Sequence, residues 1–156
     1  MSKPKVFHVS TRHHPMWNGP KRYVRVYLYD TVEELRDAAR RFHYFAPDSD
    51  TDKATGLFTP ASQHFKYAKD GSEIDLTDKH YAGMMRLCVP HLTYEVVAHE
   101  CVHAACAIYR MDITKSVVLH THCNLREEQF AYLAGQLTDE IMWQLRNYLG
   151  ELLYEK

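Results

Sequence analysis

The sequence predicts an α+β fold in which strands and helices are segregated along the chain rather than alternating. Segments of strand composition lie before Pro90, whereas two long apolar stripes with helical spacing fill the last third. With 156 residues, of which 46% are hydrophobic, the chain is long enough to bury a core. We therefore expect one domain over residues 1–156.

The first strand and the first helix are predicted to follow each other directly. Residues 23–29 alternate and are rich in β-branched and aromatic side chains, a composition typical of a strand. Asp30 and Thr31 then offer an N-cap, and two glutamates follow where the first helical turn would be. We expect this helix to run to about residue 44, before a polar loop.

The middle third has weaker strand signals. Residues 56–59 and 64–67 are short segments of strand composition, and Asp70 followed by Gly71 is a strong turn signal. Residues 84–89 are the best strand candidate of this region and end at a proline. Together these segments predict a short, mostly antiparallel sheet.

The last third is predicted to be helical. Thr93 is a suitable N-cap for a helix from residue 94 to about residue 109, and a second helix is expected over residues 125–153. The second helix carries an apolar stripe at helical spacing. Its members are Phe130, Leu133, Ala134, Leu137, Ile141, Leu145, Leu149 and Leu152. We expect this stripe to pack against the preceding helix.

Composition and charge exclude several classes of protein. The chain has 19 Lys and Arg against 20 Asp and Glu, a formal charge of -1, so no basic excess favours nucleic acid or an anionic membrane. No apolar run approaches the ~18 residues that a membrane-spanning helix needs. The four cysteines include no CxxC pair. We expect them to be reduced thiols in a cytoplasmic protein.

The motif that carries chemistry is His99-Glu100-Cys101-Val102-His103, an HExxH sequence inside an apolar, small-residue helical segment. Histidines four residues apart leave one face of a helix one turn apart, so both imidazoles can reach one Zn²⁺ at ~2.0–2.1 Å. Glu100 lies beside the first ligand and can act on a water without binding the metal. Polar groups on such a segment are costly unless they are paired, hydrogen-bonded or metal-bound.

A zinc site of this type needs a third protein ligand. Glu127 and Glu128 open the following helix, more than twenty residues beyond His103. The connection is long enough for the second helix to fold back against the first. A small residue, Ala131, follows about one turn later, where it would let the two helices approach closely. We favour Glu128 as the third ligand and keep Glu127 as the alternative.

The chain also resembles a known group of enzymes. The HECVH sequence at residues 99–103, followed by Glu-Glu-x-x-Ala-Tyr at residues 127–132, resembles the gluzincin branch of the zinc metallopeptidases. Within that branch it is most similar to the compact ImmA/IrrE-type and phage-encoded members. The resemblance implies a small zincin-like domain, with its sheet packed on the HExxH helix and on a long C-terminal helix. It further implies that residues 84–89 form the zincin edge strand, which holds an extended substrate.

The resemblance implies a function for the motif residues. Zn²⁺ would be held by His99, His103 and Glu128, and a metal-activated water would hydrolyse a peptide bond with Glu100 as general base. The expected partner is a peptide or protein substrate. The sequence makes no prediction about oligomeric state.

Two alternatives stay open at this point. His120 or His122 could replace the glutamate as third ligand, which would make the chain similar to SprT-like metalloproteases. The chain could also be a zinc-binding interaction protein that keeps the site but cleaves nothing. Glu100 favours an enzyme, because a purely structural zinc site does not need a carboxylate at that position.

Overall fold

A computed structural model describes residues 3–12, 19–42, 53–61, 65–67, 73–75, 80–112 and 125–150. Within these ranges the chain forms a four-stranded mixed sheet, a two-stranded sheet and three α-helices, which confirms the α+β class. In chain order the elements are β1 (Lys5–Ser10), β2 (Tyr23–Tyr29), α1 (Val32–Phe42), β3 (Gly56–Pro60), β4 (Phe65–Tyr67), β5 (Glu73–Asp75), β6 (Tyr81–Cys88), α2 (Tyr94–Asp112) and α3 (Leu125–Leu149).

The main sheet has the strand order β1-β2-β6-β3. β1 pairs antiparallel with β2, β2 pairs parallel with β6, and β3 pairs antiparallel with β6. All eight residues of β6 are buried. The expectation that residues 84–89 form the edge strand is therefore wrong, because β6 is hydrogen-bonded on both sides. The edge next to β6 is β3.

Most predicted elements agree with the structure. β2 covers the residues predicted for it, α1 ends at Phe42, and β4 pairs antiparallel with β5 on either side of the predicted turn. That turn, at Asp70 and Gly71, lies outside the described residues. β1 was not predicted. Its signal is a short alternation in which Phe7 and Val9 are buried.

Helices α2 and α3 pack on one face of the sheet and on each other. The Tyr109 and Phe130 rings meet edge to face at 6.1 Å, and Cys101 lies within hydrogen-bonding reach of Thr138. The residue numbers rise on one helix as they fall on the other, so the two helices are antiparallel. The predicted stripe of α3 is buried there. Its fully buried members are Leu133, Leu137, Ile141 and Leu145.

The small residues of α3 do not lie where the sequence-based expectation placed them. Ala131 is exposed rather than at the closest approach of the two helices, and the same is true of Gly135. A side chain at Gly135 would meet nothing within 4 Å. The stripe residues fill the interface instead, because their larger side chains bury more apolar area.

Specific interactions and residues mark the ends of the two long helices. The Val96 N–H donates to Thr93 Oγ1 at 3.2 Å, which confirms the predicted N-cap of α2. The other end of α2 is tied to the sheet, because Arg22 Nε donates to Asp112 Oδ2 at 3.1 Å. α3 ends at Leu149, earlier than predicted, and Gly150 adopts a left-handed φ of 68°.

Nowhere in the described ranges is a helix both long and apolar enough to cross a membrane.

Candidate active site

Two histidines of α2 form the centre of the candidate site. His99 and His103 are exposed, one turn apart, and their rings meet at 71° with centroids 4.8 Å apart. The two Nε2 atoms are 3.1 Å apart. Two nitrogens bound to one tetrahedral zinc at ~2.0–2.1 Å would be about 3.3–3.4 Å apart. The observed pair already has nearly the spacing that a shared metal requires.

Glu100 has a different environment from its histidine neighbours. Its side chain is only 6% exposed and faces β3, where the Phe58 backbone N–H donates to the carboxylate. Burial raises the pKa of Glu100, while His103, His99 and the Phe58 hydrogen bond oppose this shift. Glu100 is therefore a carboxylate held in one place and kept more basic than an exposed glutamate.

The Phe58 amide is an outward-facing group of the sheet edge. The Cys88 N–H donates to the Thr55 carbonyl oxygen at 3.2 Å. Hydrogen-bonded pairs alternate along an antiparallel ladder, so Leu57 and Thr59 also bond to β6, and Gly56 and Phe58 point their backbone groups outward. An outward N–H at an edge ordinarily bonds to water. For Phe58 the carboxylate of Glu100 takes the place of water.

Gly56 brings β3 close to α2. A Cβ atom at this position would lie 2.8 Å from Val96 Cγ1 and 3.2 Å from Glu100 Cγ. The first separation would force the Val96 side chain to shift and the second is a tight contact, so the close approach of strand and helix favours a glycine. The sequence carried a signal for this, because a glycine inside or at the start of a strand often marks a close backbone approach.

A cleft of about 290 Å³ opens between the start of β3 and the first half of α2. His99 and Glu100 line this cleft, together with one basic side chain, Lys53, and one further acidic side chain, Glu95. The lining residues are Lys53, Ala54, Thr55, Gly56, Glu95, Val96, His99 and Glu100. An elongated molecule in this cleft would lie beside the start of β3 and next to His99 and Glu100.

The third expected ligand does not join this group. Glu128 is exposed and lies two residues before Phe130, which packs on Tyr109. In an antiparallel pair this places Glu128 level with Met111, eight residues beyond His103. At 1.5 Å per residue that is about 12 Å along the axis. Its assignment as a ligand stays an untested prediction.

The histidines also lie on the side of α2 that faces away from α3. The cleft residues Glu95, Val96, His99 and Glu100 share one side of the helix, whereas Cys101 faces α3. Among the residues the structure describes, no three His, Cys, Asp or Glu side chains are grouped as a metal site.

The other proposed ligands lie where the structure gives no side chains. His120 and His122 fall between α2 and α3, outside the described ranges, and the side chain of Glu127 is also outside them. All three therefore remain open as third ligands. The described part of the chain contributes two histidine nitrogens and one buried carboxylate to the candidate site.

Comparisons with protein-family models, with curated proteins and with solved structures find no match to this chain.

Proposed function

We propose that this protein is a zinc-dependent peptidase with a zincin-like site between β3 and α2. One observation carries the proposal. The Nε2 atoms of His99 and His103 converge to 3.1 Å, and the glutamate between them in the motif is buried against the sheet edge. Two histidines alone would suit a structural metal, but a structural metal has no use for a carboxylate held in this way.

His99 and His103 would bind Zn²⁺ through Nε2, which requires both imidazoles to be neutral and to carry their protons on Nδ1. The sequence favours Glu128 as third ligand, with Glu127, His120 and His122 as alternatives. The register of α3, which places Glu128 about 12 Å beyond His103 along the helix axis, favours one of the alternatives. Zinc in such a site polarises a carbonyl and makes a bound water more acidic.

Glu100 would act as the general base. A carboxylate whose pKa is raised by burial accepts a proton more readily, and this suits it to deprotonate the attacking water. The same Oε atom then delivers that proton to the leaving amine. The hydrogen bond from Phe58 keeps the carboxylate in one orientation throughout.

β3 would hold the substrate by strand addition. Glu100 occupies the Phe58 amide, and Pro60 has no N–H, so Gly56 supplies the single outward N–H of this strand. The Gly56 and Phe58 carbonyl groups remain as outward acceptors. A bound peptide would therefore be held mainly through its own N–H groups, with Lys53 and Glu95 close to its side chains.

The proposal includes a cytoplasmic location. Cys88, Cys101 and Cys106 are free thiols, and thiols persist in reducing compartments.

Metal analysis of the purified protein tests the proposal most directly. We expect about one zinc per chain, which His99→Ala and His103→Ala should lose. His91→Ala removes another exposed histidine and serves as the matched control, with zinc retained. Protein that contains no zinc and takes up none on titration would refute the proposal.

Glu100→Gln separates an enzyme from a zinc-binding interaction protein. The substitution keeps the shape of the side chain but removes the base, so zinc should stay bound while cleavage of a peptide library, read by mass spectrometry, should stop. Wild-type protein that binds zinc and cleaves nothing in the library would favour the interaction protein.

A further inference from the structure

The orientation of Glu100 has its own structural cause. Its neighbours His99 and His103 are exposed, and only the glutamate is folded against β3. Two features of β3 meet it there, the outward Phe58 N–H and the missing side chain of Gly56. Neither feature belongs to the HExxH motif, and both come from a strand more than forty residues earlier in the chain.

We propose that β3 is the positioning element for Glu100, with the Phe58 amide as the group that orients the carboxylate and Gly56 as the residue that makes room for it. This inference rests on the proposed function for the role of Glu100 as base. The contact itself does not depend on zinc or on catalysis, so the two can be tested separately.

The hydrogen bond joins an outward backbone N–H of β3 to a buried carboxylate of α2. Phe58 points its N–H away from β6 because it belongs to a non-bonded pair of the ladder. The carboxylate of Glu100 is buried and needs a donor. Satisfying both with one bond fixes where the Oε atoms lie relative to the cleft.

Gly56 sets the distance over which this bond can form. The nearest atom to an added Cβ is Val96 Cγ1 at 2.8 Å, and the next is Glu100 Cγ at 3.2 Å. The Cβ atom of an alanine at this position would therefore contact two side chains, with a different consequence for each. Contact with Val96 disturbs the packing of strand on helix, whereas contact with Glu100 displaces the carboxylate from the Phe58 amide.

Amide hydrogen exchange, measured residue by residue by NMR, tests the orienting bond without substrate or metal. Gly56 and Phe58 are both outward amides of one edge, but only Phe58 has the carboxylate as acceptor, so we expect Phe58 to exchange more slowly. Glu100→Ala should speed Phe58 exchange on the order of ten- to a hundredfold, as expected when a hydrogen bond to a charged group is lost.

Two further variants sharpen the exchange experiment. Glu100→Gln keeps an acceptor oxygen and should retain most of the protection of the Phe58 amide. Glu95→Ala removes a neighbouring cleft carboxylate and should leave Phe58 exchange unchanged. Fast Phe58 exchange in the wild type, or exchange that Glu100→Ala leaves unchanged, would overturn the proposal. Loss of zinc binding with this protection intact would refute the proposed function alone.

Gly56→Ala tests the second half of the proposal, with Val96→Ala as the companion substitution. Gly56→Ala should lower the melting temperature and speed Phe58 exchange. Adding Val96→Ala removes the closest clash and should restore the melting temperature but not the Phe58 protection, because Glu100 is still displaced. Restoration of both would show that Gly56 acts only through packing and would overturn its positioning role.

Measurement of kcat separates a positioning role of Gly56 from a role in packing, because a change in packing alone would not lower kcat. On a peptide that the wild type cleaves, Gly56→Ala combined with Val96→Ala should lower kcat at least tenfold, with KM and zinc affinity near the wild-type values. Gly135→Ala, another glycine-to-alanine change but into open space, should leave all three unchanged. A rise in KM with kcat unchanged would mean that Gly56 serves substrate binding rather than Glu100.

Discussion

Glu100 and Cys101 are neighbours in the chain, about 100° apart around α2, yet they face different elements. Cys101 faces α3 among apolar side chains, and Glu100 faces β3, where a backbone amide donates to it. Burial raises the pKa of both groups, that of Cys101 to about 12. His103, His99 and the Phe58 amide oppose the rise in the pKa of Glu100, whereas a hydrogen bond with Thr138 opposes the rise for Cys101. One side of the helix packs against α3, and the other carries the proposed active site.

This difference means that stability and metal binding should respond to different substitutions. Changes on the α3 side should alter the free energy of unfolding and leave the affinity of the folded protein for zinc unchanged. Removal of His99 or His103, both exposed on the other side of α2, should do the reverse. The comparison fails if any α3-side residue proves essential for the metal.

The largest effect is expected from removal of a metal ligand. His103→Ala should weaken zinc binding by more than about a hundredfold, because loss of groups that merely support a ligand already costs 10–100-fold. Glu128→Ala should leave zinc affinity near the wild-type value if α3 keeps its observed register. Zinc affinity is measured by competition with a chelator.

The same titration identifies the third ligand. Glu127→Ala, His120→Ala and His122→Ala are compared with Glu128→Ala, and the variant with the dominant loss marks the ligand. A loss at Glu128 as large as that at His103 would restore the sequence-based assignment and break the separation of the two sides. A loss at His120 or His122 would favour the SprT-like alternative.

A core substitution on the α3 side should have the next largest effect. Leu137→Ala leaves a cavity at a residue that is 1% exposed, so the free energy of unfolding should fall by about 2–5 kcal/mol. Urea unfolding measures the loss. Zinc affinity at temperatures where the variant is folded should be unchanged, and a parallel loss of zinc would contradict the two-sided description.

The pKa of Cys101 predicts a smaller, pH-dependent effect. The folded thiol titrates at about 12 and the unfolded one near 9.0, so the unfolded state loses its proton first. The contribution is complete below pH 9 and is lost as the pH rises towards 12. Between pH 8 and pH 10 the wild type should lose about 1.4 kcal/mol more than Cys101→Ala. Equal pH dependence of wild type and Cys101→Ala would refute this prediction.

The smallest effect is expected at Ala131. This residue is exposed, so Ala131→Leu should change the free energy of unfolding by less than about 0.5 kcal/mol. Thermal unfolding and zinc titration of this variant provide the measurement. A loss of 1 kcal/mol or more, together with weaker zinc binding, would place Ala131 in the helix interface after all.

The elements that the sequence predicted best are those with a regular pattern. β2 alternates between buried and half-exposed residues, and the stripe of α3 keeps helical spacing, so both are visible without a structure. β6 is buried on both faces and has no alternation, so its sequence shows a strand but not its place in the sheet.

The sequence also does not predict which side of α2 faces α3 and which faces β3, again because the pattern is not regular. The HExxH spacing brings His99 and His103 together, which the structure reproduces. Small and apolar residues surround the motif in every direction, so the sequence does not tell which side meets α3 and which meets β3. The Phe58 amide has no sequence signature at all, because every residue type except proline supplies one.

The parallel pairing of β2 with β6 has a consequence for how the chain folds. The paired residues are more than fifty positions apart, and loop closure over such a distance slows folding. During synthesis β2 has an unpaired edge until β6 leaves the ribosome, which exposes strand edges to other chains. The centre of the sheet and the helix that carries the histidines therefore come together late, and the proposed active site between β3 and α2 should be complete only after the sheet has closed.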